Sequence, residues 1–273
     1  MYDVIVVGAG PAGSTCARVI AENGFSVKVF DRREEIGSPK RCGEGLDKGA
    51  EELIGKIPER CIANKVIGAR VYAPNGKYIE VPGEGYILER KVFDKHLAYL
   101  ASNSGAEIQS SSIVEDIEIK NGEVKLFGRF LDEKFEEKSK IVVIATGAES
   151  KIARKFINTT CKLNLVDTCL QYEMGNVKGD EKFIHVYFGN EIAPRGYVWE
   201  FFKGKNIANV GVGIVPHEKN PKFYLERFIK NNDRYEKASI IEVNAGVVPV
   251  GGIIEDCVRE NLIVCGEAAH HDW

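Results

Sequence analysis

Residues 2–33 read YDVIVVGAGPAGSTCARVIAENGFSVKVFDRR, and this stretch decides the fold that we predict. The continuous apolar run at 4–7 is typical of a β-strand that is buried on both faces. Gly8, Gly10 and Gly13 follow it in the order G-x-G-x-x-G. A strand that leads into these glycines predicts the first half of a β–α–β unit that binds a dinucleotide.

The residues after the glycines predict the rest of that unit. Ala17 and Ala21 are four positions apart, which places small side chains on a helix face that can lie close to the sheet. The Asn-Gly dipeptide at 23–24 ends the helix, a second strand is predicted over 25–30, and Asp31 stands at its end. A lone G-x-G-x-x-G is weak evidence, but the full order of elements favours dinucleotide binding over a purely structural glycine turn.

Each residue of the motif suits a ligand with phosphate and ribose groups. Gly8 permits the tight turn, Gly10 lets the backbone approach a pyrophosphate, and the helix N-terminus offers N–H groups and a positive dipole end. Asp31 lies 31 − 8 = 23 positions after Gly8, a spacing that suits an acid accepting hydrogen bonds from a ribose. Asp31 favours an unphosphorylated ribose. Arg32 and Arg33, which follow it, leave a phosphorylated ribose open as the alternative.

Composition excludes several classes of function. The chain has 37 basic and 40 acidic residues, a net charge of −3, which gives no reason to expect nucleic-acid binding. No apolar run approaches the roughly 20 residues of a membrane span, and no basic segment precedes the first strand. We therefore expect a cytoplasmic protein without a signal peptide, with peripheral membrane contact left open. No C-x-x-C pair and no metal-ligand spacing of histidines appears, so no metal site is expected.

Three later segments extend the predicted cofactor half. Residues 86–108 have the apolar spacing of a helix, with Arg90 just before it, and residues 139–150 and 261–269 each contain a short apolar strand. Both strands end in small residues, as is needed where backbone lies close to a ligand at the carboxyl edge of a parallel sheet. These strand ends are Ala145, Thr146 and Gly147 in the first case and Gly266 and Glu267 in the second.

The remaining segments alternate apolar and polar residues and predict antiparallel strands. A helix over 221–233 with Asn220 as its N-cap and a hairpin at Asn121-Gly122 complete the prediction. The fold class is therefore α/β, with a G-x-G-x-x-G Rossmann-like cofactor domain interleaved with an antiparallel-sheet substrate domain. We predict that the cofactor domain comprises 1–61, 85–162 and 247–273, and that the sheet domain comprises 62–84 and 163–246.

Two motifs carry a resemblance to a known family. RCGEGL at 41–46 and PRGYVWEF at 194–201 resemble the P-x-x-x-C-G-E-G loop and the P-x-G-Y-x-W-x-F strand of geranylgeranyl reductases, which include archaeal digeranylgeranylglycerophospholipid reductases. Pro39 lies one place nearer the cysteine than the family pattern has it. The resemblance covers essentially the whole chain and implies a glutathione-reductase-like flavoprotein fold with bound FAD.

The resemblance also implies roles for particular residues. The arginine that matches Arg90 lies near the phosphate and ribityl region of the flavin, and the acid of the Gly266-Glu267 pair binds the ribityl chain. The full set of expected FAD-binding residues is Gly8, Gly10, Pro11, Ala12, Gly13, Asp31, Arg32, Arg41, Cys42, Gly43, Arg90, Val114, Ala145, Thr146, Gly147, Gly266 and Glu267.

Cys42, Tyr197 and Trp199 are the candidate catalytic residues. Tyr197, Trp199 and Phe201 alternate along a predicted strand and so share one face, which suits a long hydrocarbon, although ordinary core packing explains the pattern too. Cys42 follows Arg41, which favours a thiolate. Its candidate roles are contact with the flavin, proton donation to a substrate carbon and redox gating, and the alternative is a thiol that merely packs.

Three functions agree with these features. The leading hypothesis is an FAD-dependent reductase of isoprenoid double bonds, which passes a hydride from reduced flavin to one carbon and a proton to its neighbour. Its electrons would come from transiently bound NAD(P)H or a ferredoxin-type donor, because the sequence has no second G-x-G-x-x-G. A flavin monooxygenase of an apolar or aromatic substrate has the same fold, and a shortened FAD-binding relative without turnover is the third hypothesis.

The sequence ends in CGEAAHHDW, at residues 265–273. The resemblance implies Gly-Asp at this point, followed by a helix whose N-terminus faces the flavin. Glu267 is one methylene longer than Asp, and the stretch that starts that helix is missing. We therefore expect the ADP half of FAD to be well held and the isoalloxazine end to be more exposed.

Overall fold

The computed structural model describes residues 1–159, 163–216 and 218–271. The chain forms two compact units. Unit 1 contains Met1–Ser38, Lys91–Cys161 and Pro249–Trp273, and unit 2 contains Pro39–Arg90 and Lys162–Val248. Residues 39–61 and 85–90 thus pack in the sheet unit, whereas the sequence assigned them to the cofactor domain. The loop around Glu44 and the end of β5 are hydrogen-bonded to each other, as from Leu88 N to Glu44 O at 2.8 Å. The α/β class with interleaved segments is confirmed.

Unit 1 is built on a mixed sheet of eight strands with helices α1 (Pro11–Glu22) and α3 (Arg90–Asn103). Its strands are β1 (Tyr2–Val7), β2 (Val27–Phe30), β6 (Glu107–Gln109), β7 (Ser112–Lys120), β8 (Glu123–Phe130), β9 (Glu133–Ile144), β15 (Val258–Arg259) and β16 (Leu262–Val264). The order is β15-β16-β9-β1-β2-β6, and β8 pairs with both β7 and β9. β1 pairs in parallel with β2, as the glycine motif predicted, and also with β9.

The apolar run of β1 is buried on both faces of the sheet, as predicted. Ile5 and Val7 belong to one apolar cluster, together with residues of β9 and β16. Val4 and Val6 belong to a second cluster, which contains residues of the two helices. Successive side chains of a strand point to opposite faces, so this continuous run supplies both clusters.

Helix α1 confirms the prediction of a close approach to the sheet. Pro11 is its first residue, where a missing N–H costs nothing. A Cβ atom on Gly13 would lie 1.8 Å from the Gly8 carbonyl oxygen, and Ala17 is fully buried. The helix ends at the Asn-Gly dipeptide as expected, but β2 begins two residues later than predicted, at Val27.

Two further elements of unit 1 refine the sequence prediction. The β7–β8 hairpin turns at Asn121 and Gly122, both with positive φ, so the Asn-Gly prediction is confirmed. β9 starts at Glu133, much earlier than the apolar run indicated, because its first half pairs with β8.

Unit 2 is an eight-stranded sheet with helices α2 (Glu51–Ile54) and α4 (Pro221–Lys230). Its strands are β3 (Gly45–Asp47), β4 (Ile62–Tyr72), β5 (Tyr78–Leu88), β10 (Val166–Gly175), β11 (Ile184–Phe188), β12 (Tyr197–Gly204), β13 (Ile207–Ile214) and β14 (Ser239–Pro249). The strand order is β14-β10-β13-β12-β11-β4-β5-β3.

Five of the described strand pairs in the sheet of unit 2 are antiparallel, as predicted, and one is parallel. β11 and β4 pair in parallel, because the segment that joins them is long enough to cross over. Helix α4 begins after Asn220, whose side chain accepts a hydrogen bond from the Phe223 N–H at 3.1 Å, and it ends at Lys230, three residues before the predicted end. α4 covers the face of the sheet that carries Val198 and Phe202.

Across the described ranges, the structure contains no helix with both the length and the apolar character of a membrane span.

We predict that Gly13→Ala destabilises unit 1, because the new methyl group would overlap the Gly8 carbonyl oxygen. The expected loss in free energy of unfolding is about 1–3 kcal/mol, measured by urea unfolding without added ligand. Gly10→Ala is the matched control, since a Cβ there meets nothing within 4 Å, and it should change stability by less than about 1 kcal/mol. Equal losses in the two variants would contradict the packing argument.

Candidate functional site

The loops that follow the strands of unit 1 meet at one edge of the sheet. Val7 of β1 is level with Ile144 of β9, and Ile144 is level with Val264 of β16. Backbone hydrogen bonds continue past the strand ends, from Gly8 N to Phe30 O at 2.7 Å, from Ala145 N to Val7 O at 2.8 Å and from Cys265 N to Ile144 O at 3.0 Å. The carboxyl ends of four strands are therefore aligned, which is where ligands of open α/β sheets bind.

Small residues allow these loops to lie against one another. A Cβ on Gly8 would meet the Ala145 oxygen at 2.3 Å, and a Cβ on Gly266 would meet Ala12 Cβ at 2.8 Å. A Cβ on Gly147 would come within 3.7 Å of Glu267 Oε2. Eleven of the predicted residues are thereby brought to this edge: Gly8, Gly10, Pro11, Ala12, Gly13, Asp31, Ala145, Thr146, Gly147, Gly266 and Glu267.

The start of α1 has the features that a pyrophosphate requires. No side chain caps the helix at its N-cap residue Gly10, so the N–H groups of the first turn are left for another acceptor. The space next to Gly10 is open, whereas Gly8 and Gly13 are packed against backbone. Protein packing thus explains two of the three glycines, and the open space beside Gly10 leaves room for a ligand to approach the backbone.

Asp31 is held in place by the glycine loop itself. Its Oδ2 accepts a hydrogen bond from Ala9 N at 2.7 Å, and its Oδ1 accepts one from Arg33 N at 2.8 Å. The residue is only 8% exposed. Each carboxylate oxygen has a further lone pair, so the fixed carboxylate fits a ribose that approaches along the edge. These features fit the ADP half of a dinucleotide.

Two other residues that were predicted to bind the cofactor, Arg32 and Val114, lie near Asp31 in the structure. Arg32 follows it with an exposed side chain. Val114 lies on β7, two residues after Ser112, whose N–H donates to the Asp31 carbonyl at 2.8 Å. Val114 packs in part against the apolar cluster of β9 and β16.

The aromatic face predicted on unit 2 is formed by β12. The Tyr197 and Trp199 rings lie 6.0 Å apart between centroids, and the Trp199 and Phe201 rings lie 6.5 Å apart. Their exposure differs, however, because Tyr197 is 40% exposed and Trp199 only 8%. The strand therefore offers an aromatic face whose central residue is buried.

Trp199 is buried because β13 makes room for it. A Cβ on Gly211, the residue paired with Trp199, would lie 2.2 Å from the indole. The indole N–H donates to Gln171 Oε1 at 2.7 Å. Trp199 thus packs within the unit, as the core-packing interpretation expects, whereas Tyr197 keeps an exposed ring.

The loop with the first family motif lies against this aromatic face. A Cβ on Gly43 would approach Phe201 Cε2 to 2.9 Å, so the loop backbone touches the ring. Gln171 Nε2 donates to the Cys42 carbonyl at 3.2 Å, and Asn209 Nδ2 donates to the Gly43 carbonyl at 3.1 Å. Cys42 is a half-buried free cysteine. The structure thus joins two motifs that are about 150 residues apart in the chain.

Glu44 is a central residue that sequence reasoning missed. It is 1% exposed, and its Oε2 accepts hydrogen bonds from Lys203 Nζ at 2.9 Å and Lys40 Nζ at 3.1 Å. Burial opposes its ionisation, but the two ammonium groups outweigh burial and hold the pKa of Glu44 below its ordinary value. The sequence signal that was available is an acidic residue between two glycines, Gly43 and Gly45. Its burial goes with its ion pairs, because glutamate is rarely buried unless it is paired.

The two predicted arginines of unit 2 differ in their surroundings. Arg41 is exposed. Arg90 is the first residue of α3 rather than the residue before it, and its backbone N–H donates to Glu44 Oε1 at 2.9 Å.

Within the described parts of the chain, no group of three or more His, Cys, Asp or Glu side chains is arranged to hold a metal ion.

Comparison with known proteins first defines the class. Residues 2–184 match the model of the pyridine nucleotide-disulphide oxidoreductase family, and residues 166–248 match the geranylgeranyl reductase catalytic domain. Digeranylgeranylglycerophospholipid reductase 1 of Methanosphaera stadtmanae is 40% identical over 98% of this chain and 68% of its own length. Digeranylgeranylglycerophospholipid reductase 2 of Methanococcoides burtonii is 42% identical with the same coverage. The chain therefore belongs to the digeranylgeranylglycerophospholipid reductase family.

Solved structures agree with this assignment. A geranylgeranyl bacteriochlorophyll reductase-like protein from Thermoplasma acidophilum has a TM-score of 0.95 and 38% identity, over 99% of this chain and 72% of its own. A flavin-dependent brominase has a TM-score of 0.81 at 18% identity, over 98% of this chain and 72% of its own, which shows a shared fold alone.

We predict that Gly10→Val weakens FAD binding without unfolding unit 1. The valine side chain would occupy the open space beside the start of α1, and the expected rise in Kd is at least about tenfold, or ~1.4 kcal/mol. Titration with FAD followed by fluorescence measures it. Gly83→Val is the matched control, since Gly83 lies on β5 in equally open space. Unchanged affinity in Gly10→Val would place the cofactor elsewhere.

Proposed function

We propose that this chain is an FAD-dependent oxidoreductase that reduces double bonds in the geranylgeranyl chains of archaeal-type lipids. The observation that carries the proposal is the 40% identity to a digeranylgeranylglycerophospholipid reductase over 98% of the chain. The structural match at a TM-score of 0.95 to a geranylgeranyl bacteriochlorophyll reductase-like protein supports it. The activity is that of an enzyme and not of a binding module.

Unit 1 supplies the residues that would hold FAD. The α1 N-terminus at Gly10 suits the pyrophosphate, Asp31 suits the adenosine ribose, and Gly266 and Glu267 lie at the same edge for the ribityl chain. When reduced, FAD supplies the hydride for the double bond. The protein supplies orientation and a rigid edge, because three strands fix these loops through backbone hydrogen bonds.

Unit 2 supplies the residues that we assign to the substrate. Tyr197 and Phe201 present aromatic surface on one face of β12, which suits a long apolar chain. Trp199 acts as the packed base of that face, fixed by Gln171. The thiol of Cys42, held on the same face of the sheet, is the group that we assign to proton delivery to the second carbon of the double bond.

Two features of the reaction follow from the proposed substrate and cofactor. The electrons for FAD would come from transiently bound NAD(P)H or a ferredoxin-type donor, because the sequence has a single G-x-G-x-x-G motif. A lipid with geranylgeranyl chains partitions into membranes, so the proposed substrate also implies peripheral contact with a lipid surface.

A monooxygenase is the less favoured function. Its support is the shared fold, and the flavin-dependent halogenases that share that fold do so at 15–19% identity, which carries no activity with it.

Turnover of an unsaturated lipid tests the proposal. The protein is loaded with FAD, reduced without oxygen and mixed with a lipid that carries two geranylgeranyl chains. We expect the oxidised flavin spectrum to return and mass spectrometry to show two added hydrogens per reduced double bond. The saturated lipid is the control and should leave the flavin reduced. Failure of the unsaturated lipid to reoxidise the flavin, or oxygen incorporation in air, would contradict the reductase.

Cys42→Ala tests the proton-delivery role. We expect the rate of double-bond reduction to fall by about 10²–10⁴-fold, the usual contribution of a general acid, with the flavin spectrum unchanged. Cys257→Ala, at a half-buried free thiol of unit 1, is the control and should keep the wild-type rate. A Cys42→Ala protein with the wild-type rate would show that the thiol only packs.

A further inference from the structure

We propose that Glu44 is the positioning residue of Cys42. Its buried carboxylate fixes the loop of residues 41–45 against β12 and so sets the place of the Cys42 thiol. The catalytic importance of the thiol position rests on the proposed function. The position itself, which Glu44 sets, does not.

The Glu44 carboxylate is bonded on both oxygens. Oε2 accepts from Lys203 Nζ at 2.9 Å, from Lys40 Nζ at 3.1 Å and from Asn209 Nδ2 at 2.7 Å. Oε1 accepts from the backbone N–H of Arg90 at 2.9 Å. Lys203, at the end of β12, and Asn209, on β13, thus tie the loop to two strands of the sheet.

The backbone of Glu44 depends on these contacts. Its φ is +77°, a conformation that a residue with a side chain rarely adopts without outside support. The Leu88 N–H donates to the Glu44 carbonyl oxygen at 2.8 Å, which holds the following peptide group from the β5 side. The buried carboxylate therefore holds the sharp turn in the loop as well as its position.

Cys42 is linked directly to this turn. The backbone N–H of Glu44 donates to Cys42 Sγ at 3.2 Å, so the orientation of the Glu44 peptide orients the thiol. The carbonyl oxygens of Cys42 and Gly43 are held by Gln171 and Asn209 on the sheet. Loss of the carboxylate charge weakens the anchor on one side of the thiol, while the bonds from Gln171, Asn209 and Leu88 to the loop carbonyls remain.

The remaining ion pairs make Glu44→Gln a variant that keeps its fold. Lys203 also contacts Glu89 at 2.9 Å and Glu173 at 3.1 Å, and Lys40 also forms an ion pair with Glu173. Both lysines therefore keep a carboxylate partner after Glu44 is neutralised. The glutamine is of the same size and keeps an oxygen for the Arg90 N–H.

Alkylation of cysteines by iodoacetamide, resolved by mass spectrometry of peptides, tests the proposal in the FAD-loaded protein. We expect Glu44→Gln to raise the rate of Cys42 alkylation several-fold and to leave the rate of Cys61 alkylation unchanged. Cys61 is fully buried in the same unit and reports on unfolding. Glu84→Gln is the matched control, because Glu84 pairs with Lys48 at the exposed surface of unit 2 and should change neither rate.

Two results would overturn the proposal. One is equal Cys42 alkylation in the wild type and Glu44→Gln, and the other is a parallel rise at Cys42 and Cys61, which would mean general loosening. In the turnover assay, a misplaced donor predicts a fall in kcat on the order of 10²-fold with KM little changed. The alkylation result stands without turnover, so an inactive wild type with the expected alkylation pattern refutes the proposed function alone. An active wild type with unchanged Cys42 alkylation refutes the positioning role alone.

Discussion

The parallel register of β2, β1, β9 and β16 is the constraint on which unit 1 depends. Hydrogen bonds from Gly8, Ala145 and Cys265 extend the sheet one residue past the strand ends, so the loops leave the sheet at the same level. Because those loops begin with small residues, their backbones approach one another closely enough to leave one continuous edge. The shape of this edge is thus set by backbone geometry, with the buried carboxylate of Asp31 fixed beside it.

Unit 2 depends on buried charge instead. Lys203, Lys40, Glu44 and Glu173 are mutually paired on the same side of the sheet as the aromatic residues of β12. Neighbouring acids raise the pKa of Lys203, and neighbouring lysines lower the pKa of Glu44, so both groups stay charged where water is scarce. Removing one member of such a buried pair typically costs about 3–5 kcal/mol when the other is left unpaired. The cluster avoids this cost by giving each lysine more than one acid.

The sequence was sufficient wherever a feature depends on neighbours in the chain. The glycine motif, α1, the Asn-Gly hairpin and the Asn220 cap are local, and each was predicted with its type and nearly its bounds. Features that depend on residues far away in the chain could not be predicted from the sequence. Glu44 reads as an ordinary loop acid until Lys203, 159 residues away, is placed beside it. The sequence leaves open whether Trp199 lines a face or packs in the core, and Gly211 of the neighbouring strand decides it by making room for the ring.

The order of the segments along the chain has a consequence for folding during synthesis. Residues 39–90 and 162–248 of unit 2 are complete before the segment Pro249–Trp273 emerges, whereas the core of unit 1 includes Leu262 and Val264 from that segment. The edge of β9 that faces away from β1 therefore stays unpaired until β16 arrives. Contacts of such large sequence separation form slowly, so the open edge of β9 is a surface that needs protection in that interval.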